Sequence, residues 1–212
     1  MVGQGVLREC LLDPEVEVVQ TVGRTAAGAQ SAKLREIVHA DLWHYDSIEP
    51  DLSGFDACFF CLGVASAGIA EGDYERVTYG ITLAAAETLA RLNPQMTFIY
   101  VSGQGTDSSE HGRSMWARVK GKTENALLRL PFKAAYMFRP GVIEPLHGIR
   151  SKTAAYRAFY AIGKPVLPLL RWIFPDSILT TEQVWRAMLA AARNGASKKI
   201  LESKDIRALA HH

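Results

Sequence analysis

The chain has 212 residues, 48% of them hydrophobic, and a formal charge of +2, enough apolar material for one core in a single domain spanning 1–212. No stretch concentrates Lys and Arg on one face, which excludes a nucleic-acid footprint. Three cysteines, an odd number, argue against a disulfide framework and fit a reducing, cytoplasmic setting; residues 1–5 lack the basic and apolar regions of a secretory signal.

In chain order, a helix is expected over 5–12 and strands over 16–22, 36–39 and 57–62. A helix over 79–92, a strand over 97–101, a helix over 114–130 and a strand over 134–138 follow. A helix over 181–193, with Thr180-Thr181-Glu182 as its cap and acidic first turn, precedes an edge strand over 199–201. Strands alternating with helices imply right-handed βαβ units and a parallel sheet covered on both faces. The runs Ala57-Cys58-Phe59-Phe60-Cys61-Leu62 and Phe98-Ile99-Tyr100-Val101 are apolar on both alternations, as strands buried on two faces should be. The predicted fold is therefore α/β, a doubly wound parallel sheet of Rossmann-like type with a small helical C-terminal cap.

The cap is assigned to 149–178. Its lipophilic part, 156–174, is interrupted by Arg157, Lys164, Pro165, Pro168 and Arg171, whereas a spanning helix needs about 20 residues with few charges. A helical cap is the preferred reading and peripheral membrane contact the lesser one. Tyr156, Phe159, Tyr160, Leu167, Leu170 and Trp172 would line a pocket for a small, hydrophobic substrate, or pack on the sheet or on a second subunit as a homodimer contact.

Ligands of doubly wound sheets bind beyond the carboxyl ends of the strands. The residues there are Gly23-Arg24, His39-Ala40-Asp41-Leu42, Cys61-Leu62-Gly63, Tyr100-Val101-Ser102 and Phe138-Arg139-Pro140-Gly141. Together with Met1-Val2-Gly3 and Trp116-Ala117-Arg118-Val119-Lys120-Gly121, these pieces resemble, in order, the atypical short-chain dehydrogenase/reductases. The resemblance is to the small epimerase-like, NmrA-like and Tat-interacting-protein-like NAD(P)-binding group, and it runs from residue 1 to about 202. It implies a dinucleotide held by Gly3, Arg24, Asp41, Leu42, Cys61, Leu62, Gly63, Lys120, Pro140, Gly141 and Val142. Asp41 and Leu42 would meet adenine, and Cys61-Leu62-Gly63 the adenosine ribose.

Two departures qualify that expectation. Members of the group open with a central buried strand and Gly-x-x-Gly-x-x-Gly, whose backbone approaches the pyrophosphate at a helix N-terminus. Met1-Val2-Gly3 matches only the last positions, so the strand and the first glycines would precede Met1; otherwise this variant binds dinucleotide poorly, or Gly3 and Gly5 are simple terminal residues. About 20 residues after the glycine turn, where a carboxylate would select NAD, stands Arg24, whose planar fork suits a 2′-phosphate. NADP is thus expected ahead of NAD.

The second departure is chemical. The resemblance implies Tyr-x-x-x-Lys on one helical face, with a Ser that polarises the substrate carbonyl. Lys120 and Ser102 are present, but position 116 is Trp, whose indole donates a hydrogen bond and does not ionise. Ordinary reduction by the tyrosine route is not expected. His111, in the loop with Asp107, Ser108, Ser109 and Glu110, is the substitute that titrates near neutrality when unperturbed, although a solvated loop His is the better account of it.

Other patterns carry less. Gly121-Lys122-Thr123 ends like a P-loop, but the required earlier glycine is Trp116. Cys58 and Cys61 would face opposite sides of a strand. His39, Asp41 and His44 form one short cluster, and no metal is expected. The leading functional expectation is an NAD(P)-binding oxidoreductase- or epimerase-like protein with weak or altered catalysis. A non-catalytic NADP(H)-sensing or protein-binding module is the alternative, and an interaction or membrane-surface module without cofactor is a third.

Overall fold

The computed structural model describes residues 2–144 and 178–211. Helix α1 (Val2–Leu12) leads to the parallel pair β1 (Val19–Gly23) and β2 (Leu34–Val38). After a short 3-10 turn (Asp46–Leu52) come β3 (Ala57–Phe60), α2 (Glu71–Glu75), a π turn (Arg76–Gly80) and α3 (Ile81–Leu92). Strand β4 (Thr97–Val101), α4 (Met115–Leu127), β5 (Ala134–Arg139) and the short β6 (Val142–Glu144) follow. Strand β7 (Ile178–Thr180), α5 (Thr181–Asn194), β8 (Ile200–Glu202) and α6 (Ser203–Leu209) complete the described elements.

Every pairing among the described strands is parallel. Strands β3, β4, β5 and β8 form a four-stranded sheet in that order, β1 pairs only with β2, and β6 pairs with β7. The apolar double alternation explains the burial of β4. Its Ile99 joins Phe138, Leu201, Trp185 and Val6 on the side of α1, α5 and α6. Phe98 and Tyr100 pack with Met137, Leu127 and Ala86 on the side of α3 and α4. Each such fully buried large side chain contributes roughly 1.5–3 kcal/mol. The expected α/β doubly wound architecture is therefore present.

The expected elements recur with shifted ends and some additions. The first helix begins at Val2 rather than residue 5, and the strand expected over 36–39 is Leu34–Val38. Thr180 caps α5, its hydroxyl accepting from Gln183 N while the Gln183 side chain accepts from Thr180 N, and Gly195 closes that helix at φ 75°. The pair β6–β7, the helices α2 and α6 and the 3-10 turn went unforeseen, being shorter than a periodic signal requires. The cap assigned to 149–178 lies outside the described residues, except Ile178, which opens β7.

The central strand expected ahead of residue 1 has a physical counterpart. Among the described residues, one edge of β1 and one edge of β3 have no partner strand. Both edges line a cavity of about 940 Å³, floored by residues of α1. Val18 and Val22 are exposed there at 38% and 37%, positions where a parallel sheet would bury them. Cys58 and Cys61 also line it, on opposite sides of the sheet as expected: Cys58 packs with the α3–α4 side, Cys61 with the α1–α5 side. Desolvation pushes both thiols up to about 12, so they are neutral small hydrophobes near pH 7.

Helix α1 closes the sheet by an unusually close approach. A Cβ built on Gly5 would stand 1.5 Å from the Trp185 ring of α5, and one on Gly3 would stand 3.3 Å from Cys61 Cβ. The two glycines are therefore helix-packing residues, Gly5 strictly so. Gly5→Ala is expected to cost about 1–3 kcal/mol through overpacking, read as a lower urea midpoint with unchanged slope. Ala at Gly72, where nothing lies within 4 Å of the added carbon, is the control and should not destabilise.

Candidate functional site

The carboxyl ends of the strands carry the residues of interest, in two groups on either side of the cleft. On the β1–β2 side, Arg24 follows the last residue of β1 and is exposed. Asp41 accepts from Trp43 N at 2.9 Å and from His44 Nδ1 at 2.8 Å, while Leu42 is buried. The His44 hydrogen bond holds the Asp41 carboxyl below its usual range, and Asp41 raises His44 in return. His39 Nε2 is engaged with the His44 carbonyl at 2.7 Å. No cluster of three metal-ligating side chains occurs among the described residues.

Gly3 lies in the first turn of α1 and its backbone touches the Cys61 side chain just beyond β3. That is the work of the last glycine in a dinucleotide-binding turn, which lets a helix pack closely on its strand. Leu62 is half-buried, and Gly63 is exposed with open space where a Cβ would be.

The second group is a network at the ends of β4 and β5. Lys120 of α4 donates from Nζ to the Ser102 carbonyl at 2.7 Å and lies 5.8 Å from the Tyr100 ring centre. Burial lowers its pKa to about 8, although the Glu124 carboxylate pulls the other way. Ser102 Oγ donates to Glu124 Oε1 at 2.5 Å, with the Phe138 carbonyl at 3.2 Å as its other acceptor. Glu124, fully buried, receives Arg139 on both oxygens; Arg139 also donates to Ser108 Oγ at 2.6 Å and to Glu202 at 3.3 Å. Burial opposes the Arg139 charge, and the hydrogen bonds and charge of Glu124 overcome it, leaving its pKa above the usual value. Beside this network Pro140 accepts from Gln104 N at 3.0 Å, Gly141 N donates to Ser203 Oγ at 2.8 Å, and Val142 opens β6.

Trp116 sits one helical turn before Lys120. Its ring stands 3.6 Å from where a Cβ on Gly105 would be, so it walls the loop after β4. The same loop rests directly on α4 at Gly121, where a Cβ would fall 1.7 Å from the Asp107 carbonyl. Asp107 ties the loop from within, accepting from Ser109 N, Ser109 Oγ and Gly112 N, and these hydrogen bonds keep its carboxyl below the usual range. His111 is exposed on the far part of that loop.

Ser102, Lys120 and Pro140-Gly141-Val142 therefore share one corner, Trp116 borders it, and Arg24, Asp41 and Leu42 lie across the cleft. Glu124 and the packing role of Gly121 escaped the sequence reading. The first was signalled by Lys120-x-x-x-Glu124, the spacing that puts two side chains on one helical face. The second carried no signal beyond being a glycine inside a helix. The Ser102 hydroxyl, expected to face a substrate carbonyl, donates to Glu124.

No family model matches this chain. Among curated proteins, it is 34% identical over 128 residues to the mitochondrial FMP52-2 protein of Scheffersomyces stipitis, covering 59% of this chain and 54% of that protein. It is 30% identical over 149 residues to a mitochondrial fmp52-1 protein of Aspergillus oryzae, with 68% and 62% covered. The HTATIP2 protein of Rattus norvegicus is 27% identical over 143 residues, with 66% and 58% covered. The match thus spans little more than half the length of the first of these relatives.

Among solved structures, the Bordetella bronchiseptica enzyme WbmG in complex with NAD superposes with a TM-score of 0.68 at 9% identity, covering 95% of this chain and 68% of that one. A UDP-galactose 4-epimerase gives 0.61 at 15% identity, with 95% and 73% covered. At such identities the likeness shows the fold. With the sequence relatives, it bears out the resemblance to the atypical short-chain dehydrogenase/reductase group. The cytoplasmic expectation is corrected: the FMP52 relatives are named mitochondrial. Reduced cysteines do not distinguish two reducing compartments.

The Glu124–Arg139 pair sets a stability test. Arg139→Met leaves a buried carboxylate without its cation and is expected to cost about 3–5 kcal/mol in urea unfolding. The double change Arg139→Met with Glu124→Leu should recover part of that loss. A double variant as unstable as the sum of the single ones would show that the pair does not act as a unit.

Proposed function

From a chain similar in fold to the short-chain dehydrogenase/reductases and in sequence to the FMP52 and HTATIP2 proteins, we infer a nicotinamide-dinucleotide-binding, oxidoreductase- or epimerase-like function with altered catalysis. The observation that carries this reading is Lys120, half-buried and held on the Ser102 carbonyl at the end of β4. A partly desolvated ammonium is costly to maintain and belongs where a ligand's polar groups will meet it.

The described residues fit a dinucleotide in stated ways. Gly3 brings the first turn of α1 against Cys61, so the helix N-terminus faces the carboxyl ends of the strands, where phosphate would be stabilised by free N–H groups. Lys120 would hold the nicotinamide ribose, and Pro140-Gly141-Val142 would run beside the ring. Leu42 and Asp41 would meet adenine, and the exposed Arg24 guanidinium favours NADP over NAD. A bound dihydronicotinamide would supply hydride. The substrate is a small apolar carbonyl compound, and a mitochondrial location accords with the names of the FMP52 relatives.

Trp116 gives the alternative its own support. An indole neither gives up nor takes a proton at this position, and the Ser102 proton is committed to Glu124. A dinucleotide-dependent sensor or protein-binding module would keep this architecture without turnover.

Calorimetric titration with NADPH and NADH tests the reading, on this chain and on a version with an apolar strand and glycine turn fused before α1. Tighter NADPH than NADH binding is expected, strengthened by the added strand filling the β1–β3 cleft. Absence of binding by both folded proteins would remove the dinucleotide. Lys120→Ala should weaken binding about tenfold or more, the loss of one charged hydrogen bond of roughly 1.5–3 kcal/mol. Trp116→Tyr separates enzyme from sensor: a rise in carbonyl reduction marks an otherwise complete site, while binding with no turnover in either protein favours the sensor.

A further inference from the structure

The network around Lys120 holds the groups needed to move a proton, but its partners leave few of them free to do so. Ser102 Oγ spends its proton on Glu124 Oε1 at 2.5 Å. Glu124 is fully buried and saturated by Ser102 and Arg139. Asp107, on the loop, is taken up by Ser109 and Gly112. Tyr100 of β4 lies beneath the lysine, with Tyr74 of α2 beside it; burial raises the pKa of both phenols, farthest for Tyr100. Arg139 of β5 stays a cation, tied to Glu124 and to Glu202 of β8. Position 116, one turn before Lys120 on the same helical face, is an indole.

We propose that Lys120 is the proton-exchanging residue of this site, its ammonium taking the place of the hydroxyl that Trp116 cannot provide. The proposal rests on the dinucleotide reading above. In the reducing direction a carbonyl carbon accepts hydride from a dihydronicotinamide, its C=O π bond opens, and the oxygen takes a proton from the Lys120 ammonium. Lys120 is left as the neutral amine and regains its proton from solvent; the oxidising direction reverses each transfer. The Ser102 carbonyl, 2.7 Å from Nζ, fixes the amine in both states, because either form can donate to it. The burial that lowers Lys120 to about 8 keeps both forms populated near neutral pH, as acid–base exchange requires.

The test follows Lys120 directly and then asks whether turnover depends on it. In protein labelled with 13C-lysine, the Cε shift is followed by NMR from about pH 6 to pH 11, bracketing the ordinary lysine value. The signal missing from Lys120→Arg assigns the residue. A midpoint near 8 is expected, lower still in Glu124→Gln, which removes the charge that favours the ammonium. If that variant does not fold, the comparison of wild type with Lys120→Arg decides alone.

The same protein is then given NADPH and phenanthrenequinone as a carbonyl probe. The rate should fall as pH rises through the Lys120 midpoint, and His111→Ala should keep the same profile. A Lys120 that titrates with the surface lysines, a rate flat across its midpoint, or NADPH binding without turnover would each overturn the assignment. No NADPH binding at any pH, with the midpoint in place, would instead overturn the dinucleotide reading on which it rests.

Discussion

The ion pair between Glu124 and Arg139 is the interaction on which the ligand-facing end of the sheet depends. Both charges are taken out of water, so each must be matched by partners, and the matching fixes four pieces of chain at once. Through Glu124 it binds α4; through Arg139, the end of β5; through Ser108, the loop after β4; through Glu202, the end of β8. Ser102 is oriented as a by-product, because its hydroxyl has a buried carboxylate within reach. The position of Lys120 is set one turn away on the same helix. A single desolvated pair thus turns several loose strand ends into one geometry, and the chemistry inherits its constraints from there.

A second constraint acts on the other half of the molecule. An unpaired strand edge leaves backbone N–H and C=O groups without partners, and among the described residues β1 and β3 each turn such an edge toward the cleft. The space between them is lined by backbone edges and apolar side chains, and α1 lies across it with Gly3 against Cys61 and Gly5 against Trp185. The helix therefore holds the two parts together from one face, where a strand would do so from within. The two groups of candidate residues sit on opposite banks of that gap. Their cooperation toward one dinucleotide depends on how well the banks are tied, and the network at β4 and β5 secures only one of them.

Much of the fold was legible in the sequence, because a strand buried on two faces must be apolar at every position, as in 98–101. The site was legible only as positions. That Ser102 follows a strand and Lys120 lies on a helix could be read from the chain, whereas the direction of the Ser102 proton could not. It is decided by Glu124, a residue 22 positions away whose burial is a product of the packing. Gly121 was equally opaque, since its lack of a side chain matters only because Asp107 comes to rest on it. Compartment left no trace in composition at all.

The contact between α1 and α5 also bears on how the chain acquires its shape. Gly5 is seated on Trp185, and Asp13 is paired with Arg193, 180 positions further along the chain. Helix α1 therefore waits for α5, far along the chain, before its apolar face is covered. Closing so long a loop is entropically slow, and topologies rich in such distant contacts fold slowly and leave sticky surface uncovered meanwhile. Until α5 arrives, Val6 and Cys10 have no Trp185 to pack against, and the open edges of β1 and β3 face solvent as well. A nascent chain of this design presents a ready substrate to chaperones that bind exposed apolar segments.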